Sequence, residues 1–570
     1  MKKQQTVDQF VWRRRLGFAA VFASALYLSW HAFNIQVLNN DFLRTQGDMR
    51  HLRTESINAT RGMILDRNGE ALAVSTPVAS VWANPEKFAP TPAQWSRLSE
   101  MLNRPVAELK RQVEKRSNKE FVYLKRHIDP DLANQIDALK IAGVDLQTEY
   151  RRYYPSGEVA GHLIGFTNVD DKGQEGLELA FEERLAASTG KRRVIRDNQA
   201  NTIRTLEMIK AASPGHDVYL SIDRRLQYIA YRELKKAVVA NNASSGSLVM
   251  LDTVTGEVIA QVNQPAFNPN NRSQFQTENY RNRSVVDVFE PGSTIKPFTI
   301  VAALKAGSIA TDTMVDTSPG YLRVDDSTIK DVRNFGMLDV PGIIQKSSNV
   351  GVTQIALRVP KESMWETLSD FGFGDLTASG FPGESAGVLP FFGTWNRVEQ
   401  ATLSYGYGLS VTALQLAQAY SVLANGGVMK PISYEKVNEA PKGKRVIEES
   451  IARNVVKMME GVVSREGTAY KAAIEGYRVA GKTGTVKKLG ADGYTEDKYL
   501  ATFAGIAPAS SPRLAVVVTI DNPGNGDYYG GKIAAPIFSN VVSEALRIMN
   551  VPPDNVYTEP LRMTQAGRHL

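Results

Sequence analysis

The chain predicts an α+β fold: an antiparallel sheet with a helical lobe beside it, preceded by a separate N-terminal region and one long apolar segment. Three observations carry that reading. Apolar, β-branched runs at 500–507 and 514–521 have strand character and sit close enough in sequence to pair with a run near 477–485. A strand, a helix and a hairpin follow one another between residues 218 and 260. Apolar residues at helical spacing fill much of what lies between. With 570 residues, 43% of them apolar and 22% charged, the chain has the composition of a globular protein of several domains.

Taken in order, the first element is residues 16–37, a mostly apolar stretch long enough to span a bilayer. Arg13, Arg14 and Arg15 precede it, with Lys2 and Lys3 further out, so the positive-inside rule leaves 1–15 in the cytoplasm and everything after about residue 38 outside. A removable leader needs a small-x-small site after its apolar core. His31, Asn34 and Gln36 stand there instead, and an uncleaved anchor is expected.

Residues 84–148 carry proline-punctuated helical patterns, among them 95–102 and 106–114, and 151–187 is rich in aromatic residues and glycine. The run 188–215 is charged and poorly periodic and reads as a junction. From Asp217 the pattern becomes a strand over 218–222, a helix over 224–239 and hairpin strands at 247–252 and 257–260. Helices surround Ser293, and the last strands follow Lys482. The final twenty residues, with Pro552-Pro553, read as a loose tail. The expected division is therefore 1–15 tail, 16–37 anchor, 38–214 a non-catalytic domain, 215–550 a catalytic domain and 551–570 tail.

Charge narrows the partners. Five basic residues against Asp8 put +4 of the formal +7 into residues 1–15, which leaves too little elsewhere for a nucleic-acid footprint. His31, His51, His127, His162, His216 and His569 are scattered without metal-ligand spacing. The chain has no cysteine, in keeping with an exported protein.

Chemistry enters with three short strings in a fixed order: Ser293-Thr294-Ile295-Lys296, Ser347-Ser348-Asn349 and Lys482-Thr483-Gly484-Thr485. Singly, each is common in ordinary helices, turns and hairpins. Together, S-x-x-K, S-x-N and K-T-G are the signatures of serine acyl-transferases that handle penicillin-like substrates. A spacing of three sets Ser293 and Lys296 on one helix face, and Pro297 and Pro291-Gly292 put that pair at a helix N-terminus. A serine hydroxyl needs a base to become a nucleophile. Lys296 serves only if desolvation or a second cation lowers its pKa, and Lys482 is the expected cation. Ser347 is placed to relay a proton to a leaving amine, and Asn349 to orient Lys296 or the substrate amide. Strand alternation sets Thr483 and Thr485 on one face, suited to a substrate carboxylate, and Gly484 admits close backbone approach. The backbone N–H groups of Ser293 and Thr485 are the expected oxyanion hole.

A rival motif overlaps the third string. Residues 476–483 fit G-x-x-x-x-G-K-[ST], the phosphate loop of nucleotide hydrolases, and 516–521 resembles a partner strand ending in Asp521. A phosphate loop must open into a helix. Here Gly484, Thr485, Val486, Gly490 and Gly493 follow, which is strand and turn chemistry, so this reading is disfavoured.

The chain as a whole, from about residue 10 to 555, resembles the class B, monofunctional penicillin-binding proteins, most closely the division type (penicillin-binding protein 3, FtsI-type). Beyond the three strings, Arg61-Gly62-Met63-Ile64-Leu65-Asp66-Arg67-Asn68-Gly69, Arg152-Tyr153-Tyr154-Pro155 and Gly173-Gln174-Glu175-Gly176-Leu177-Glu178 resemble signatures of the family's non-catalytic pedestal. Ser404-Tyr405-Gly406-Tyr407-Gly408, Tyr529-Gly530-Gly531 and Ala535-Pro536-Ile537-Phe538 are similar to segments flanking its active site. The resemblance implies a penicillin-binding, β-lactamase-like transpeptidase domain on an elongated, dimerisation-like pedestal. It also implies a peptidoglycan D,D-transpeptidase of septal wall synthesis, with Tyr405 and Tyr407 among the substrate contacts. β-Lactams are expected to acylate the same serine, and no metal or organic cofactor is needed. Implied partners are stem peptides, nascent glycan strands, a SEDS-family glycan polymerase and other division proteins, at the bacterial inner membrane with the catalytic domain periplasmic. Arg61, Arg152 and Glu175 are expected in a buried ion-pair network rather than in chemistry. Two alternatives stay open. A carboxypeptidase or β-lactamase would hand the acyl group to water, although the E-x-x-L-N string of a deacylating glutamate is absent between Ser347 and Lys482. A silent β-lactam sensor or division scaffold would not need every reacting residue type, and all are present.

Overall fold

The computed structural model describes residues 5–41, 52–196, 202–271, 277–490 and 493–555. Its contacts divide the chain into two units. One comprises Met1–Thr60, Pro77–Glu149 and Ala187–Pro214, the other Arg61–Thr76, Tyr150–Ala186 and Gly215–Leu570. Two segments that the sequence reading assigned to the N-terminal domain thus cluster with the catalytic one.

In the first unit, residues Gln5–Phe33 form one helix, continued by a wider turn over Asn34–Leu38. Residues 11–38 are long and apolar enough to cross a membrane, and the span leaves Leu16, Phe18, Phe22, Leu26 and Trp30 exposed. A helix apolar on all sides needs an apolar surrounding. Residues 1–4 of the expected cytoplasmic tail lie outside the described residues.

The globular part of this unit packs Leu98, Leu102, Leu109, Val113, Leu124 and Ile136 into its own core. The helix Pro92–Leu102 starts with a capping box between Thr91 and Gln94, and the helix Val106–Glu114 has the bounds its periodicity predicts. The run 188–215 is not a junction. Gly190–Arg196 pairs antiparallel with Leu52–Ile57 on one side and Thr202–Lys210 on the other. A periodicity search misses this ribbon, because the Thr202–Lys210 strand is exposed from Arg204 onward, its apolar Leu206, Met208 and Ile209 included, and buries no face.

In the second unit, Arg61 and Arg152 meet on Glu178 at 2.8 and 2.6 Å, all three buried, and Arg61 also pairs with Glu182 at 2.7 Å. The ion-pair network exists, with a correction: its carboxylate is Glu178, whereas Glu175 is exposed one residue before the left-handed Gly176. Breaking one partner would strand a buried charge, at a cost of about 3–5 kcal/mol.

The centre is an antiparallel sheet of β1 (Ser245–Asp252), β2 (Val258–Gln264), β3 (Ala480–Gly490), β4 (Gly493–Ala507) and β5 (Leu514–Asp521), in the order β2-β1-β5-β4-β3. Helices α1 (Arg224–Ala240) and α7 (Gly530–Ile548) cover one face. On the other lies α5 (Ala413–Ala424), with α2 (Lys296–Lys305), α3 (Val340–Lys346), α4 (Asn349–Ala356) and α6 (Glu449–Val463) forming the helical lobe. Burial on both faces explains why β5 reads Leu-Ala-Val-Val-Val-Thr-Ile, buried from Leu514 to Ile520, instead of alternating. Each such valine or leucine removed from water contributes about 1.5–3 kcal/mol. β3 is the edge strand, so one side of it is left open to the lobe. It begins at Ala480 rather than near Tyr477, because Ile474 and Tyr477 close a turn through the left-handed Gly476. At the C-terminus, Tyr477 Oη donates to Val551 O at 2.6 Å and Asn555 N to Gly476 O at 3.1 Å. Residues 556–570 of the expected tail lie outside the described residues.

Candidate active site

Gly292, at φ +53°, turns the chain after Pro291 into a 3-10 turn, Gly292–Ile295, which passes directly into α2 at Lys296. Pro297 falls in the first turn of α2, where its missing N–H costs nothing. Ser293 is half-buried on this turn, and Tyr420 Oη pins it from below by donating to Thr294 O at 2.9 Å. Opposite, Gly406 (φ +91°) accepts from Gly292 N at 3.1 Å. A Cβ on Gly406 would lie 2.1 Å from Gly292 O, so only glycine permits this approach.

The S-x-N string is the hinge between two helices. Ser347 ends α3 in the left-handed region (φ 60°, ψ 39°), which is strained for a serine, and Ser348 caps α4 by accepting from Gly351 N at 2.8 Å. That strain aims Ser347 Oγ at both lysines. Lys296 Nζ donates to Ser347 O at 2.5 Å, Ser347 Oγ at 3.2 Å and Asn349 Oδ1 at 2.7 Å. Lys482 Nζ donates to the same Ser347 Oγ at 2.9 Å and to Thr483 O at 3.3 Å. Both lysines are wholly buried. Burial, reinforced by the Lys482 cation, holds Lys296 well below the usual lysine range, while Asp331 pulls it the other way. Burial brings Lys482 down to about 7. Two ammonium groups sharing one hydroxyl in a dry site repel each other, so near neutral pH one lysine of the pair is free to accept a proton.

Thr483, Gly484 and Thr485 lie on the open edge of β3, against the turn that carries Ser293. A Cβ on Gly484 would meet Pro291 O at 3.0 Å, and one on Gly292 would meet a Val486 methyl at 2.4 Å, so the two backbones touch. Thr483 Oγ1 and Thr468 Oγ1 are hydrogen-bonded at 2.9 Å, and Thr485 Oγ1 accepts from Gly530 N at 3.1 Å. Tyr405 and Tyr407 stack edge to face at 5.8 Å, and Tyr407 meets Tyr494 at 5.6 Å. Burial pushes the Tyr405 hydroxyl up to about 12, which keeps it a donor.

The structure therefore brings Ser347, Asn349, Lys296 and Lys482 into one hydrogen-bonded cluster, with Ser293 and the Thr483–Thr485 edge alongside. Lys482 lies inside a strand and is followed by another strand, which is incompatible with a phosphate loop. The sequence reading missed three residues. Asp331 accepts from Ser348 Oγ at 2.5 Å, Asn349 N at 2.5 Å and Val350 N at 3.1 Å. Thr468 extends the threonine pair, and Glu290 accepts from Gly408 N at 2.9 Å and Tyr494 Oη at 3.0 Å. Only Glu290 gave a usable signal, being three residues before Ser293.

Comparison with known proteins agrees with this geometry. The penicillin binding protein transpeptidase domain matches residues 246–543, and the penicillin-binding protein dimerisation domain matches 56–220. The chain is 44% identical over 563 residues to Escherichia coli K12 peptidoglycan D,D-transpeptidase FtsI, covering 98% of this chain and 95% of that protein. It is 41% identical over 537 residues to a probable peptidoglycan D,D-transpeptidase PbpC of Pseudomonas aeruginosa, covering 94% and 95%. Among solved structures, the apo transpeptidase domain of Burkholderia pseudomallei penicillin-binding protein 3 superposes with a TM-score of 0.55 at 44% identity, covering 59% of this chain and 97% of that one. A Bifidobacterium adolescentis peptidoglycan synthetase superposes at 0.70 and 26% identity, covering 89% and 98%.

Proposed function

The chain belongs to the penicillin-binding proteins that join a dimerisation domain to a transpeptidase domain, and on that premise we propose that it is a peptidoglycan D,D-transpeptidase acting through an acyl-enzyme on Ser293. The observation that carries the assignment of roles is the convergence of two buried lysines on one strained serine beside the nucleophile turn.

In this mechanism neutral Lys296 takes the Ser293 proton as Oγ attacks the penultimate D-alanine carbonyl of a stem peptide. The oxyanion forms against the N–H groups of Ser293 and Thr485. The C–N bond then breaks, and Ser347, fed by Lys296 and Lys482, passes a proton to the departing D-alanine amine. An amine from a neighbouring strand attacks the Ser293 ester, loses its proton to the same relay, and the new peptide bond frees the serine. Asn349 fixes Lys296, Thr483 and Thr485 hold the substrate carboxylate, and Tyr405 and Tyr407 wall the cleft. A β-lactam enters at the same first step. Its ring opens without a departing fragment to make way for the acceptor, so the acyl-enzyme persists.

The apolar N-terminal helix, with the arginines before it, supports an inner-membrane anchor with residues 1–15 cytoplasmic and the catalytic domain periplasmic. The family relation supports nascent glycan strands as substrate, and a SEDS-family polymerase and other division proteins as partners. A fluorescent penicillin tests the central claim. Peptide mapping is expected to find the label on Ser293 alone; label on Ser347 or Ser348, or none on folded protein, would overturn it.

A further inference from the structure

In the first unit, the charged ribbon has an outer edge that nothing covers among the described residues. Its strands run in the order Leu52–Ile57, Gly190–Arg196, Thr202–Lys210, and the last of them pairs on one side only. On that edge Leu206 is 45% exposed, Met208 56% and Ile209 45%. Apolar side chains that gather in the open mark a contact surface.

Charge and backbone say what meets it. Arg192 pairs with Glu55 at 2.7 Å and Arg193 with Glu207 at 3.1 Å, which engages both carboxylates of the ribbon. Lys191, Arg204 and Lys210 are exposed, with no ion-pair partner among the described residues. Lys191 stands directly opposite Lys210, a like-charge pair that weakens a ladder unless an anion lies over it. The register against Gly190–Arg196 also slips at three places, leaving Ile209 and Leu206 without an opposite residue. Bulges of this kind bend an edge and spoil it as a template for another protein strand. What the edge offers is therefore side chains, apolar ones flanked by long basic ones. Surfaces that lie on a bilayer are built this way: apolar groups enter the headgroup layer while the cationic heads stay with the phosphates.

Covalent reach supplies the bilayer. The ribbon starts at Leu52, fourteen residues after the membrane-length segment ends at Leu38, and so stays within about 50 Å of that end. Such confinement makes the encounter intramolecular, and a contact too weak to form from solution is then populated.

We propose that the Thr202–Lys210 edge rests on an anionic phospholipid surface, with Leu206, Met208 and Ile209 entering the headgroup layer and Lys191, Arg204 and Lys210 meeting lipid phosphates. A single helix leaves the exported part of the chain free to swivel about its anchor, and a second contact removes part of that freedom. The inference rests on the membrane-anchor reading given above.

The chain has no cysteine, so one introduced at Met208 is unique. The full chain carrying an environment-sensitive dye on Met208→Cys is placed in nanodiscs of phosphatidylcholine, with or without phosphatidylglycerol, and spin-labelled lipid is the quencher. Quenching is expected in the anionic discs, little in the neutral ones, and less as salt rises. Each basic residue near an anionic surface favours contact about fivefold, so combining Lys191→Gln, Arg204→Gln and Lys210→Gln is expected to lower the docked-to-free ratio about a hundredfold. These side chains are exposed and hold no ion pair among the described residues, and fluorescent-penicillin labelling checks that the variant is folded. Dye on Val239→Cys, an exposed apolar position in the other unit, is expected to stay unquenched. The proposal is overturned by no quenching at 208, by equal quenching in neutral and anionic discs, by unaltered quenching in the triple variant, or by equal quenching at 239. A dye response that appears only when a glycan polymerase shares the disc would mark the edge as a protein interface and overturn it too. Dye on Phe22→Cys separates the two readings: no quenching there sinks the anchor, whereas quenching there with none at 208 sinks the ribbon contact alone.

Discussion

Lysine and arginine at position 296 differ in one property that decides the proton-transfer assignment. Arginine keeps a cation and donors toward Ser347 and Asn349 but cannot lose its proton in a protein. Lys296→Arg is therefore expected to fold with a near-normal melting temperature and to acylate about 10²–10⁴ times more slowly, the usual worth of a general base. Stopped-flow acylation within a few-fold of the parent would make Lys296 only a charge. The pH profile adds a sign. Burial lowers both lysines, with Lys482 at about 7, so acidification protonates the pair and removes the base. Acylation is expected to fall as acidification protonates the lysines, with apparent values that belong to the pair. Asp331 favours the protonated form of Lys296, so Asp331→Asn is expected to shift that acid limb to lower pH. The same change replaces an acceptor of Ser348 Oγ by a donor and should lower stability by about 1–3 kcal/mol, read by denaturant unfolding. An acid limb that stays in place would remove Asp331 from the electrostatics of the base.

At the scale of elements, the turn that carries Ser293 is held by backbone contacts. Gly406→Ala would drive a methyl into Gly292 O at a left-handed position, displacing the turn that carries Ser293. Acylation is expected to fall at least tenfold, with a stability loss of about 1–3 kcal/mol. Gel-based penicillin labelling at parental rate would show that the turn has slack. The elements themselves were unevenly legible. The helix Val106–Glu114 and the strand Leu514–Asp521 have the bounds that periodicity gives, since each owes its pattern to burial. The strands Gly190–Arg196 and Thr202–Lys210 were not legible, because the second is exposed from Arg204 onward, its apolar Leu206, Met208 and Ile209 included, and the first mixes buried Gly190 and Val194 with exposed lysine and arginine, so burial writes no clear period into either. The site divides in the same way. Ser293, Lys296, Ser347, Asn349 and Lys482 stand in strings whose spacing is itself chemical. Asp331 and Thr468 reach the site only through tertiary contact, 17 residues from Ser348 and 15 from Thr483, and nothing local marks them.

At the scale of the whole molecule, chemistry and placement are carried by different parts of the chain. Every side chain assigned to acyl transfer lies between Ser293 and Thr485, in one unit with its own continuous core, and the apolar helix belongs to the other unit. Acylation draws on local geometry that the core fixes, with Tyr420 beneath Thr294 and Phe298 packed against Phe371, Phe373 and Tyr420. On the partners and location proposed above, support of division draws on being at the membrane beside a glycan polymerase. Anchoring replaces a three-dimensional search by confinement near the partner, which raises effective concentration without any new contact. An exported form starting at about residue 40 is thus expected to label with fluorescent penicillin at the parental rate yet fail to replace the full chain in depleted cells. Full rescue by the unanchored form would show that the pedestal alone brings the enzyme to its partner, and the anchor would then need another explanation.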